Sequence, residues 1–190
     1  MINETDILAF GAHPDDVEIS TAGTILRYIN EGKKVAIVDL TQGELGTRGN
    51  IHTRANESKN ASELLGVKNR VNLQLKDGFL NSSESSIKLI IEQIRRFKPE
   101  IVFANAISDR HPDHAKAAKL VADACYLSGL KKISTKWEGA NQEAHRPRLV
   151  LHYIQDYYIK PDIVIDVSDF MEMKIEVIKS YKIQFFDPSS

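Results

Sequence analysis

One cysteine, one tryptophan and no long apolar run remove several kinds of protein from consideration. A lone thiol, Cys125, cannot close an internal disulfide, so nothing here is stapled for an oxidising compartment. Cysteine scarcity also excludes a closed structural metal site made of thiolates. Cys125 lies in the alanine-rich segment 115–127 and reads as buried filler. No stretch approaches the roughly 20 apolar residues of a membrane helix. The N-terminus lacks the basic-then-apolar pattern of a signal peptide. These absences lead us to expect a cytoplasmic protein with no membrane partner. Charge of one sign is missing too. The formal net charge is −1, so no global field attracts nucleic acid. Internal repeats and low-complexity tracts are also absent.

What remains is a chain of 190 residues with 42% hydrophobic content, enough for a single domain over 1–190 with a real core. Strand-like and helix-like segments alternate. Residues 7–11 form an apolar run, and Ala22, Ile25, Leu26 and Ile29 follow at helical spacing up to Gly32. A second strand at 35–40 leads into a glycine-broken loop at 42–50. A helix from about Thr53 packs Ala61, Leu64 and Leu65 and ends at Gly66. Residues 71–75 are strand-like. Ile87, Ile90, Ile91, Ile94 and Phe97 mark an amphipathic helix stopped by Pro99. A fourth strand at 101–104 precedes a helix from Asp113 to about Leu127, with Pro112 suited to its first turn. Strands are expected at 149–154 and 163–167. A last helix carries Phe170, Met173, Val177, Ile178 and Tyr181, with Ser168 as its N-cap. Residues 131–147, with Trp137 and His145, read as a long loop beside the site. The adjacent Phe185 and Phe186 suggest that something packs against the end of the chain.

This rhythm predicts an α/β fold, a Rossmann-like three-layer sandwich. Its sheet is mostly parallel, with strand order near 3-2-1-4-5 and helices on both faces. Right-handed crossovers then place strands one and four side by side, with their following connections leaving in opposite directions. A crevice opens at those two strand ends. Ala12-His13-Pro14-Asp15-Asp16 follows the first strand and His111-Pro112-Asp113-His114 comes soon after the fourth, so motif and topology point to one place.

His13, Asp16 and His114 supply two imidazoles and a carboxylate, the three-ligand set of a catalytic zinc. The same set accepts iron (Fe2+), cobalt or manganese. Asp15, between two of the ligands, is the natural general base for water. His111, one helical turn from His114, can stabilise an oxyanion as imidazolium. Asp113 either orients the His111 ring or is simply an acidic first-turn residue. Glu44, Arg48 and Arg54 in and after the second loop, with Arg110, read as a pocket for a small polyhydroxylated, acidic substrate. Glu44 and Arg54 can equally be surface ion-pair partners. His52 reads as solvated, His145 as a loop residue within possible reach of the site, and His152 as a satisfied structural histidine.

With these phrases in place, the chain resembles the PIG-L/LmbE-like zinc deacetylases. Their two signature phrases stand here unsubstituted at 12–16 and 111–114. The loop Thr41-Gln42-Gly43-Glu44-Leu45-Gly46-Thr47-Arg48-Gly49 and the Arg54/Glu57 spacing are similar too, and the likeness runs from Ile7 to about Ile183. The segments 109–114 and 181–185 resemble the bacillithiol-biosynthesis branch, which deacetylates N-acetylglucosaminyl-malate. The resemblance implies zinc on His13, Asp16 and His114, with Asp15 as base and His111 as electrostatic partner. It also implies Arg54 and Glu44 on the sugar, Arg110 near the malate carboxylates, and a homo-oligomer, a trimer or hexamer. Members of that family run several tens of residues longer, and their later portion can contribute a pocket residue. A further C-terminal segment is therefore an expectation.

Three rival readings stand beside it. One is an amidohydrolase for another N-acyl sugar or a thiol conjugate. Another is a metal-binding protein without turnover. The third is a nucleotide-binding module, against which the first loop speaks: it lacks Gly-x-Gly-x-x-Gly, and its carboxylates would repel a pyrophosphate.

Overall fold

A computed structural model describes residues 4–185 of the chain. The strands are β1 (Ile7–Gly11), β2 (Val35–Thr41), β3 (Asn69–Leu75), β4 (Ile101–Ala104), β5 (Lys136–Trp137), β6 (Ala140–Asn141) and β7 (Leu149–His152). The helices are α1 (Asp16–Asn30), α2 (Ile51–Leu65), α3 (Glu84–Phe97), α4 (Pro112–Leu127), α5 (Met171–Lys179) and α6 (Lys182–Phe185). Five strands make one parallel sheet in the order β3-β2-β1-β4-β7. β5 and β6 form a separate antiparallel hairpin.

Strand periodicity sorts the core into two layers. Leu8 and Phe10 of β1, Ala36, Val38 and Leu40 of β2, and Val102 and Ala104 of β4 point to one face. There they meet Ile90, Ile91, Ile94 and Phe97 of α3 and the alanine side of α4. Ile7, Ala9, Val35, Ile37 and Phe103 point the other way, onto α1, α2 and α5. Central strands buried on both faces read as near-continuous apolar runs, which is why β1, and β2 as far as Val38, are visible in the sequence. Each fully buried Ile or Phe contributes about 1.5–3 kcal/mol. Ile94→Ala would cost about 2–5 kcal/mol through lost burial and the cavity left behind.

The expected strand order is observed, with β1 paired to both β2 and β4. After β1 the chain enters α1 on one face, and after β4 it enters α4 on the other. This divergence opens the crevice at the carboxyl edge of the sheet.

Three expectations need correction. Residues 163–167 are not a strand. They cross the outside of α1, where a Cβ on Gly23 would lie 2.9 Å from Val167 Cβ, and Arg27 Nη1 donates to Asp166 O at 2.7 Å. Apolar character read as strand here leaves Ile163 and Val164 exposed. Ser168 does not cap the last helix. A 3₁₀ turn at Ser168–Phe170 precedes α5, and the Ser168 hydroxyl donates to Asp166 Oδ1 at 2.6 Å. Residues 131–147 do not lie beside the crevice. Buried Arg95 of α3 holds the start of this segment through Ile133 O and Thr135 Oγ1, and His145 Nε2 bonds Pro99 O at 2.8 Å, at the amino end of β4. His145 is thereby removed from the site.

Phe185 closes α6 and is about half exposed, whereas Phe186 lies outside the described residues. Among the described residues, no helix is long and apolar enough to cross a membrane.

Candidate active site

The turn after β1 carries three of the expected residues. Asp15 is the N-cap of α1 but makes no capping bond with its side chain, whose carboxylate instead lies beside the Arg54 guanidinium. Asp16 opens the helix, and its Oδ2 accepts from His13 N at 3.0 Å, which closes the turn. From the other side, His111 is the N-cap of α4 and accepts from Asp113 N through Nδ1 at 3.2 Å. Pro112 at the first helical position suits this entry.

The two turns meet. His114 Nε2 lies 3.2 Å from Asp16 Oδ1, and His13 Nδ1 lies 3.6 Å from Asp16 Oδ2. The His13 ring stands edge-on to His111 with centroids 4.6 Å apart, and those of His111 and His114 are 5.0 Å apart. A tetrahedral metal site with bonds near 2.0–2.1 Å places neighbouring donor atoms roughly 3.3 Å apart. The His114 contact at Asp16 Oδ1 is close to that spacing, and His13 faces the other oxygen of the same carboxylate at a somewhat longer distance.

Ligand atoms of His13, His111 and His114 also lie within 4.8 Å of one another. His111, however, spends Nδ1 on a backbone N–H, which puts its neutral-form proton on Nε2 and makes that atom a donor.

Carboxylates that sequence reasoning missed orient the histidines. Asp77 Oδ1 lies 3.0 Å from His13 Nε2, and Asp109 Oδ1 lies 2.9 Å from His114 Nδ1. A carboxylate on the far nitrogen fixes the tautomer and ring direction of a ligating histidine. One signal was available for Asp77: it follows β3 at the same carboxyl edge as the other site loops.

Electrostatics follow from this crowding. Burial alone would push the His13 imidazolium down, but hydrogen bonds with Asp113, Asp16 and Asp77 hold it up at about 12. Burial opposes ionisation of Asp16, yet His114 and His13 keep it well below the usual carboxylate range. His114 is raised despite burial, by Asp16 and Asp109. Burial and then the charge of Asp16 push Asp15 up to about 8, against the pull of Arg54. His111 is lowered, first by burial and then by the cationic His13 and His114.

The remaining expected residues are placed as follows. The Asp113 carboxylate does not hold the His111 ring. Its Oδ2 accepts from Gly78 N at 2.6 Å and lies 3.8 Å from His13 Nε2, and its Oδ1 lies 3.4 Å from Lys116 Nζ. Asp113 touches His111 through its backbone N–H instead. Glu44 accepts from Asp77 N at 2.8 Å and so supports the Asp77 loop. Arg54 is buried under the 42–50 loop, donating from Nη1 to Pro14 O and from Nη2 to Gln184 Oε1. A Cβ on Gly46 would come within 2.7 Å of Arg54 Nη2, so glycine there lets the loop lie on the guanidinium. Arg110, largely exposed, pairs with Asp156 Oδ2 at 3.3 Å. His152, read as structural, bonds Asn105 O through Nδ1 at 2.9 Å.

Fold and site together define a parallel α/β domain with a His/Asp centre at its topological switch. The chain belongs to the PIG-L family: the family model described as GlcNAc-PI de-N-acetylase matches residues 8–125. Among relatives, the chain is 31% identical over 189 residues to a diacetylchitobiose deacetylase of Thermococcus kodakarensis, covering 94% of this chain and 70% of that one. It is 26% identical over 201 residues to a probable N-acetyl-alpha-D-glucosaminyl L-malate deacetylase 2 of Bacillus anthracis, covering 97% and 84% respectively. Among solved structures, the conserved protein TT1542 of Thermus thermophilus superposes with a TM-score of 0.89 at 33% identity, over 95% of this chain and 80% of that one.

Proposed function

We propose that the protein is a metal-dependent N-deacetylase that hydrolyses the acetamido group of an N-acetylglucosaminide. One observation carries the reading: His13 and His114, from two separate strand ends, flank the Asp16 carboxylate at 3.6 and 3.2 Å, with Asp15 next to it in the turn. His13, Asp16 and His114 would hold the ion, with zinc the metal that best suits the donor set. A divalent ion there supplies Lewis acidity, lowering the pKa of water towards about 7 and polarising a carbonyl.

This chain's own residues do the rest. Asp15 takes the proton of the attacking water as the oxygen adds to the acetyl carbon. His111 offers its Nε2 proton to the oxyanion of the tetrahedral adduct. When the C–N bond breaks, Asp15 returns the proton to the leaving nitrogen, giving acetate and a free amine.

For the aglycone we propose malate, supported by the relative of that name and by the placing of Arg110 at the rim of the same edge. A second reading, an N-acetylated amino sugar without an acidic group, is favoured by the diacetylchitobiose relative and by the engagement of Arg110 with Asp156. Our reading treats residues 1–190 as one deacetylase domain in a reducing, cytoplasmic setting, where the single buried thiol Cys125 is at home. It also includes assembly as a trimer or hexamer, for which exposed Ile163, Val164, Met171 and Ile175 offer apolar surface.

The test is acetate release by zinc-loaded protein from N-acetylglucosaminyl-malate and from diacetylchitobiose. Faster turnover of the malate glycoside supports the first reading, faster turnover of chitobiose the second. Release from neither overturns both.

A further inference from the structure

Two neutral amides hold Asp16, and neither takes part in the chemistry above. Asn105, wholly buried just past β4, donates from Nδ2 to Asp16 Oδ2 at 2.9 Å, while its Oδ1 accepts from Ala12 N at 2.9 Å. Gln155, beyond β7, donates from Nε2 to Asp16 Oδ1 at 3.0 Å. The two amides also bond each other: Gln155 Oε1 accepts from Asn105 Nδ2 at 3.0 Å and from Ala106 N at 3.4 Å.

A carboxylate oxygen has two lone-pair sites. Asp16 Oδ2 fills both from the protein frame, one from His13 N and one from Asn105. Asp16 Oδ1 takes one bond from Gln155 and turns its other lone pair to His114.

We propose that Asn105 and Gln155 are positioning residues, an amide pair that presents one lone pair of Asp16 Oδ1 on the His114 side of the site and so sets how tightly the site holds a divalent cation. The proposal rests on the reading of Asp16 as a ligand. Amides suit the task because they donate without bringing a charge. A lysine or arginine in either place would bond the same carboxylate but repel the incoming cation. The pair also ties three strand ends into the site, since Ala12, Asn105 and Gln155 follow β1, β4 and β7 in turn. The loop after β7, silent in motif terms, thereby becomes part of the metal centre.

The experiment uses the full chain, stripped of metal and titrated with cobalt(II) against a chelating dye. Its second readout is the visible d–d absorption at saturating cobalt. Gln155→Met keeps length and volume but removes the donor, and Gln155 is only partly buried, so this variant should fold. The expected result is a loss of cobalt affinity of about 10- to 100-fold. A changed d–d band at saturation and an unchanged melting temperature of the metal-free protein should accompany it. Asn105→Ala should show the same spectral change if it folds.

Wild-type affinity and spectrum in Gln155→Met would overturn the proposal. So would a lowered metal-free melting temperature with affinity and spectrum intact, which is the signature of a purely structural pair. Failure of the unmutated protein to bind cobalt at all would instead overturn the metal-centre reading, and this inference with it.

Discussion

Arg54 Nη1 stands 3.6 Å from Asp15 Oδ2, with both side chains largely enclosed. The same guanidinium reaches Pro14 O at 3.2 Å and Gln184 Oε1 at 2.5 Å. One planar fork thus joins the proposed base, the turn that carries it and the helix α6 near the end of the described chain.

A lysine cannot reproduce that fork, because its ammonium is a single point of charge on a flexible stem. Arg54→Lys should lose about 1.5–3 kcal/mol, the worth of a charge-assisted hydrogen bond. Urea unfolding measures this. A variant as stable as the parent would show that the Gln184 contact contributes nothing.

Asp15→Asn keeps the shape of the side chain and removes its basicity. Turnover should fall by about 10²- to 10⁴-fold, with metal content unchanged. Steady-state kinetics beside elemental analysis decide the matter, and undiminished turnover would move the base role to another residue.

Asp109→Asn leaves His114 Nδ1 facing an amide that can turn either its oxygen or its NH2 to the ring. Metal affinity should drop about 10- to 100-fold. Competition with a chelating dye reads the change. His114→Ala, which removes the proposed ligand itself, should abolish stoichiometric binding.

Metal binding and pH are linked with a definite sign. Without a cation His13 is held at about 12, so its imidazole carries a proton at neutral pH, and His114 is raised in the same direction. Ligation needs both imidazoles neutral, so binding must expel at least the His13 proton, roughly one per site, and affinity should climb with pH. Proton release into weak buffer on adding zinc measures the count. The metal-free fold runs the opposite way. A His13 value above the unfolded value of about 6.5 contributes stability that is complete below that pH and is lost as pH rises towards 12. Asp15, pushed up to about 8, acts in the same direction from its unfolded range upwards. Chelator-treated protein should therefore be less stable at pH 9 than at pH 6, in urea melts at the two values.

Central strands such as β1 and β2 were legible because burial on both faces leaves long apolar runs, unbroken in β1 and in β2 up to Asp39. His13, Asp15, Asp16, His111 and His114 were legible because each stands in a compact phrase just past a strand. Asp77 and Gln155 were not, because their partners are 64 and 139 positions away and no local spacing announces the contact. The 163–167 segment misled for a related reason. Apolar residues say that a segment seeks cover, but not whether a sheet edge or the back of a helix provides it. Arg54 was read as a ligand-facing cation. Its actual place under the loop depends on glycines 43 and 46, whose lack of side chains gave no hint of what would fill the space.

Asp15 adopts a backbone φ of +121°, a region where any residue with a Cβ is under steric load. A conformation of this kind costs on the order of 1–3 kcal/mol. A chain selected only to remain folded would place glycine at this turn. Aspartate there means that durability has been given up at the position of the proposed base. Attempts to harden this protein should therefore leave position 15 alone and look to the helices behind the sheet.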